Sequence, residues 1–344
     1  MNLAHAWLYD VNRIESEVSR YLIGMGIKLR LSSRVVNVQK EKETIKGIYL
    51  SDGSYEEGDV FIETTGTTGP MGNCLRYGNG CSMCVLRCPA FGPRISISQR
   101  AGIEDLKGER ADEVYGAFSG SCKLSKESID KDIINELEEK GVVVVKIPEE
   151  DINLDKLKIK VCQQYALKEF AENIVLLDTG HAKLMTSYYP LDKLRKIKGF
   201  EHAKYIDPYA GGKGNSIRYL AITPRDNTMK VKGIDNLFCA GEKAGLFVGH
   251  TEAICTGSLS GNNAVRLFKG KELITLPNET VIGDIINFSN QRFLEENDKK
   301  SRFTFAGSVY FNRMKELGLY TIDKEVIKKR IEDLGLTDIF NKEV

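Results

Sequence analysis

The chain has 344 residues, 42% hydrophobic and 28% charged, which is enough for two globular domains with ordinary polar surfaces. Its 49 Lys and Arg are nearly balanced by 48 Asp and Glu, which argues against a protein built mainly to grip a nucleic-acid backbone. No apolar run is long enough to span a membrane, and Met1 to Trp7 lack the pattern of a secretory signal. These features predict a soluble, cytoplasmic protein.

The first seventy residues predict one helix followed by strands. Apolar residues at helical spacing predict a helix from Asp10 to Gly24. Partial alternation predicts a strand from Lys28 to Val38, and shorter apolar runs predict strands at Lys46–Leu50 and Asp59–Glu63. The last of these enters a loop rich in Gly and Thr at 64–70, a common place for a cofactor to meet backbone amides.

Beyond residue 100 the pattern predicts an α+β segment. Ser128–Lys140 predicts a charged amphipathic helix, and Val142–Lys146 predicts the strand after it. Ile174–Leu177 predicts another buried strand, and Leu191–Lys198 predicts a short basic helix that ends at Gly199.

The stretch from Asn236 to Arg266 is the most informative part of the sequence. It predicts a short apolar strand, a glycine-rich loop and a helix from about Thr251 to Lys269, with Thr251 or His250 as its N-cap. The loop glycines are Gly241, Gly245 and Gly249. Uncovered backbone amides and the positive end of a helix suit an anion or an electron-rich ring edge. The alternative is a plain crossover whose glycines serve only turns.

This stretch also resembles a motif of known flavoproteins. Its matching parts are Leu237-Phe-Cys-Ala-Gly241, Thr251-Glu-Ala253 and Gly261-Asn-Asn-Ala264. They are similar to the C-terminal flavin-contacting motif of the glucose-inhibited division protein A family and the folate-dependent tRNA uridine methyltransferases. Further segments similar to this group are Asp59–Gly66, Ile197–Tyr205 and Leu276–Gly283.

The resemblance implies an α/β, glutathione-reductase-like fold that binds FAD non-covalently. The predicted domains are an FAD-binding domain from 1–70 and 200–290, a cysteine-rich loop at 71–100, an inserted α+β substrate domain at 101–199 and a helical tail at 291–344. The implied cofactor-binding residues are Thr65, Gly66, Gly241, Glu242, Gly249, His250, Thr251 and Glu252.

The phosphate-cradling turn of such a fold is missing from the sequence. A dinucleotide-binding domain places Gly-x-Gly-x-x-Gly between a strand and a helix. The Gly-x-Gly sequences at Gly24, Gly78 and Gly212 lack that context. We therefore expect the fold to lack its N-terminal βαβ unit, which a partner chain, a misplaced start or evolutionary loss would explain.

Four of the eight cysteines lie in one short segment and predict a metal or redox site. They are Cys74, Cys81, Cys84 and Cys88, spaced Cys-x6-Cys-x2-Cys-x3-Cys-Pro. This spacing favours a [4Fe–4S] cluster, with zinc and free redox-active thiols as the alternatives. A cluster beside a flavin favours electron transfer over tRNA modification.

Other residues are candidates for single roles. His250 and Cys255 are the candidates for catalysis near the flavin, although a loop-positioning histidine and a small buried helix residue fit the pattern better. Cys239, in the middle of a strand, is expected in the core. Arg218 and Arg225 are expected at the surface, where either can meet an anion.

Together these features predict an FAD-dependent oxidoreductase with a four-cysteine site, which moves electrons between flavin and an unidentified substrate. We expect its redox partner to be a small molecule or a protein. One alternative is a tRNA uridine-modifying flavoprotein, although the balanced charge does not favour a nucleic-acid partner. The other is a non-catalytic subunit or scaffold that has lost full FAD binding.

Overall fold

The computed structural model describes residues 13–66, 95–108, 117–119, 122–159, 167–186, 189–206, 216–218, 221–305 and 307–344. Within these ranges strands and short helices are interspersed up to residue 239, and the last four helices then follow one another. No helix in this part of the chain is long and apolar enough to cross a membrane.

The strands are short. They are β1 (Val35–Glu41), β2 (Thr44–Leu50), β3 (Tyr55–Glu57), β4 (Phe61–Glu63), β5 (Leu106–Lys107), β6 (Ala117–Ser119), β7 (Cys122–Leu124), β8 (Val142–Lys146), β9 (Asn173–Asp178), β10 (Ala182–Leu184), β11 (Ser216–Arg218), β12 (Ala221–Ile222) and β13 (Leu237–Cys239). Antiparallel sheets have the orders β1-β2-β3 and β7-β10-β9-β8, and β11 pairs with β6 and β12 with β5. Strand β13 lies parallel to β4.

The helices range from one turn to nineteen residues. They are α1 (Ile14–Gly24), α2 (Ile97–Arg100), α3 (Lys131–Lys140), α4 (Glu169–Glu172), α5 (Leu191–Leu194), α6 (His250–Phe268), α7 (Val281–Leu294), α8 (Ser308–Glu316) and α9 (Lys324–Asp333). Single 3-10 turns occur at Lys126–Ser128, Glu149–Asp151, Leu154–Ile159 and Gly241–Ala244.

Two hydrophobic cores hold these elements together. The first packs β13, α6 and α7 against the segment 303–319, with Phe238, Phe247 and Tyr310 among its fully buried residues. The second packs the four-stranded sheet against α3 and α5, around Leu176 and Phe200. The domain boundaries given above stay a prediction.

Local chemistry explains where the long helices begin and end. Helix α3 starts after Asp130, whose side chain accepts a hydrogen bond from the Asp132 N–H, and it stops at Gly141 with φ +73°. Helix α7 starts after Thr280, whose Oγ1 accepts from Gly283 N–H at 3.0 Å. A Cβ at Gly283 would lie 2.1 Å from the Pro277 oxygen, so only glycine allows this close approach.

Several sequence-based boundaries or placements are wrong, among them the short helix predicted at Leu191–Lys198, which ends at Leu194. The strand predicted at Lys28–Val38 begins only at Val35, because the alternating leucines before it, Leu29 and Leu31, are exposed instead of packed on a sheet. The helix predicted from Ser128 begins at Lys131, since Asp130 caps it. Arg225 is buried rather than at the surface.

Candidate functional site

The parallel pair of strands β4 and β13 ends at one edge. Phe61 lies opposite Leu237 and Glu63 opposite Cys239, and the Ala240 N–H donates to the Glu63 backbone oxygen at 3.1 Å. Two loops begin at this edge. Residues 64–66 follow β4, and residues 241–249, which we call the glycine loop, follow β13. In α/β folds, ligands bind outside the carboxyl ends of parallel strands.

This topology brings the predicted cofactor residues of two distant segments to one edge. The residues on the two loops are Thr65, Gly66, Gly241, Glu242 and Gly249, and His250, Thr251 and Glu252 form the first turn of α6. Their role in binding stays a prediction.

Gly249, and not Thr251 or His250, is the N-cap of α6. Its φ is +131°, and a Cβ there would lie 2.2 Å from Oε2 of Glu252. Glycine therefore lets the buried Glu252 carboxylate fold beneath the loop, where Oε1 accepts from the Phe305 N–H at 2.6 Å. His250 and Thr251 are exposed at the N-terminal end of the helix.

The glycine loop is fastened to α6 at its other end. Gly241, with φ +65°, donates its N–H to Thr256 Oγ1 at 2.9 Å, and Thr256 Oγ1 donates to the Glu252 backbone oxygen at 2.8 Å. Across the edge, Gly66 has φ +67° and, among the described residues, no heavy atom within 4 Å of the place where a Cβ would stand. The edge thus combines a fixed loop with a left-handed glycine that the described residues leave uncovered, which fits a ligand that approaches the backbone closely.

A buried carboxylate lies directly behind this edge, and sequence reasoning missed it. Glu63, at the end of β4, is completely buried and accepts hydrogen bonds from Thr65 Oγ1, from the N–H groups of Ile97 and Ser98, and from Ser98 Oγ. The two backbone donors belong to the first turn of α2, capped by Ser96. Glu63 therefore ties the loop after β4 to the start of α2.

Lys243 of the glycine loop completes this buried network. Its ammonium, fully buried, donates to Ser96 Oγ at 2.9 Å and to Asp105, and lies 3.8 Å from Glu63. Asp105 also accepts from Thr223 Oγ1 at 2.8 Å. Two carboxylates share one ammonium here. Two features of the sequence could have indicated this network: Glu63 is a charged residue at the end of an apolar strand, and Lys243 is a charged residue within a glycine-rich loop.

Two buried arginines flank the same loop. Arg225 donates to the backbone oxygens of Ala244, Asp226 and Ile286 at 2.7, 3.0 and 3.0 Å, and burial lowers its pKa to about 10. The Ala244 and Ile286 carbonyls are distant from Arg225 in sequence, which explains why the surface placement of Arg225 was wrong. Arg302 is also buried.

Six of the eight cysteines were candidates for a core, catalytic or metal-binding role. Cys239 is buried in β13 as expected, and burial raises the pKa of its thiol to about 12. Burial, together with the Glu252 charge, also raises the pKa of Cys255, so this catalytic candidate stays a neutral thiol at neutral pH. The predicted metal ligands Cys74, Cys81, Cys84 and Cys88 lie outside the described residues. Within the described ranges, no group of three or more His, Cys, Asp or Glu residues could hold a metal.

A family model described as glucose inhibited division protein A matches residues 2–186 and 178–272. The chain belongs to this family. The matched region includes β4, β13, the glycine loop and α6, so the family resemblance found in the sequence is confirmed.

The chain aligns with only part of the length of its relatives. The methylenetetrahydrofolate–tRNA-(uracil-5-)-methyltransferase TrmFO of Bacillus licheniformis is 30% identical over 148 residues, which are 43% of this chain and 32% of the relative. The tRNA uridine 5-carboxymethylaminomethyl modification enzyme MnmG of Chlorobaculum tepidum is 40% identical over 122 residues, or 35% and 19%. The chain thus aligns with less than a third of each relative.

The fold is also that of a solved family member. The structure of Aquifex aeolicus GidA in its form I crystal matches with a TM-score of 0.50 and 16% identity, over 88% of this chain and 59% of that one. The predicted α/β fold class is therefore confirmed.

Proposed function

We propose that this protein is a flavin-dependent enzyme that modifies a uridine of tRNA. The observation that carries the proposal is the family match, because it runs through both strands of the parallel pair and the glycine loop. The similar proteins TrmFO and MnmG are named as enzymes that modify tRNA uridines. These relatives favour the tRNA-modifying alternative over the iron–sulfur oxidoreductase that the cysteine spacing predicted.

The residues at the edge fit a flavin nucleotide. No described residue covers the Cβ position of Gly66, and Gly249 exposes backbone at the start of a nineteen-residue helix, whose positive end favours negative charge. We assign Thr65, Gly66, Gly241, Glu242, Gly249, His250, Thr251 and Glu252 to this site. FAD would supply electron or hydride transfer there. The chain's own part is to position the loop through Glu252 and Thr256.

The function is tested by nucleoside analysis of tRNA. We expect a strain that lacks the gene to lose one modified uridine, measured by mass spectrometry of digested tRNA. A plasmid with the unaltered gene should restore that uridine, and a plasmid encoding Gly249→Ala should not, because the strained loop no longer positions the cofactor. An unchanged uridine profile in the deletion strain would refute the proposal.

A flavin- and cluster-dependent oxidoreductase is the second candidate, favoured by the spacing of the four cysteines. It predicts iron and sulfide in anaerobically purified protein, with a broad absorbance that Cys84→Ser removes. Cys239→Ser serves as the matched control, since Cys239 is buried in β13, and it should leave the iron content unchanged. Zinc instead of iron would favour a structural metal, and no bound metal would remove this candidate.

A further inference from the structure

Arg302 is buried beside the glycine loop, and part of its guanidinium makes no hydrogen bond to the described residues. Only 4% of Arg302 is exposed. Nη1 donates to the Ser301 backbone oxygen, but Nε and Nη2 have no hydrogen-bond partner among the described residues. Buried charged donors are rarely left without acceptors, because they lose their water without compensation. This points to a partner outside the part of the chain that the structure describes.

Backbone hydrogen bonds place Arg302 next to the glycine loop. The Phe303 N–H donates to the Leu246 oxygen at 2.7 Å, and the Val248 N–H donates to the Phe303 oxygen at 3.0 Å. Phe303 therefore forms an isolated parallel bridge with Phe247 of the glycine loop. Arg302 immediately precedes this pairing.

The surroundings of Arg302 connect it with the start of α6. Three residues further on, the Phe305 N–H donates to the Glu252 carboxylate in the first turn of that helix. Burial lowers the pKa of Arg302 to about 10, and the nearby charges of Glu242 and Asp298 act against this. The guanidinium thus stays a cation at neutral pH, within electrostatic reach of the loop residue Glu242.

We propose that the Nε–Nη2 edge of Arg302 binds a group with two acceptor atoms presented at the glycine loop. This edge carries two parallel N–H donors, the arrangement that matches a carboxylate, a phosphate or the carbonyl edge of a flavin ring. The positive end of α6 adds to the attraction. The proposal depends on the proposed flavin function only for the flavin source, since an oxyanion of a substrate would bind in the same way.

The test compares the full-length protein, freed of bound flavin, with Arg302→Met. Thermal unfolding is followed without ligand, with FAD and with inorganic phosphate. We expect the unliganded variant to unfold at the same temperature or higher, because an unpaired buried charge is gone. We expect ligand to raise the Tm of the unaltered protein and to bind about ten- to a hundredfold more weakly to the variant.

The two probes distinguish the sources of the bound group. An Arg302-dependent shift with FAD alone supports the flavin edge, one with phosphate alone supports a substrate oxyanion, and shifts with both support a site that accepts either. Arg225→Met is the matched control, because that buried arginine bonds three backbone oxygens and its loss should lower Tm without ligand.

Three results would overturn the proposal. The first is that Arg302→Met lowers the Tm of the unliganded protein as much as Arg225→Met does. The second is that the variant shows the same ligand-induced rise in Tm as the unaltered protein. The third is that neither FAD nor phosphate raises the Tm of the unaltered protein. None of these readouts involves tRNA, so failure here is distinct from failure of the proposed function.

Discussion

Replacing Lys243 by methionine should lower the free energy of unfolding by about 3–5 kcal/mol, the usual cost of breaking a buried ion pair from one side. Lys243 is fully buried and bonds Asp105 and Ser96, with Glu63 at 3.8 Å. Without the ammonium, two buried carboxylates lose the positive charge that they share. Urea unfolding followed by circular dichroism measures the change.

A surface lysine provides the matched control for this variant. Lys46 lies 3.7 Å from Glu41, with side chains 47% and 68% exposed, so Lys46→Met should cost less than about 1 kcal/mol. The double variant Lys243→Met with Asp105→Asn should recover part of the loss, because one unpaired carboxylate is removed. Equal effects of Lys243→Met and Lys46→Met would show that the buried network does not stabilise the fold.

Gly249→Ala should abolish flavin retention and destabilise the protein by about 1–3 kcal/mol, the cost of backbone strain in a region that other residues rarely adopt. The φ of Gly249 is +131°, and the new Cβ would meet Oε2 of Glu252 at 2.2 Å. To make room, Glu252 would have to give up its hydrogen bond to Phe305. The flavin-to-protein ratio after purification and thermal unfolding measure both effects.

A glycine inside α6 is the control for this variant. Gly257 has no heavy atom of the described residues within 4 Å of its Cβ position, so Gly257→Ala should stabilise the helix by about 1 kcal/mol and keep the flavin. Adding Glu252→Ala to Gly249→Ala removes the clash but not the strain, and should recover stability only in part. Full flavin retention by Gly249→Ala would contradict the assignment of this loop.

Short elements with a strong local signal were predictable from sequence. The run Val142–Lys146 forms β8 as predicted, because consecutive valines follow the helix-ending Gly141. Strand β13 and helix α6 were also found, and so was their family motif. The strand predicted at Lys28–Val38 failed because alternation alone does not show whether another strand is present to pair with it.

By itself, the sequence determined the family of this protein, its α/β class and the two glycine-rich loops, since these depend on local order along the chain. Only the tertiary structure showed that Glu63, Asp105 and Lys243 form one buried network and that Arg225 and Arg302 are buried. These groups are far apart in sequence. Burial and pairing of charges depend on distances across the fold, and those are set by packing rather than by any local pattern.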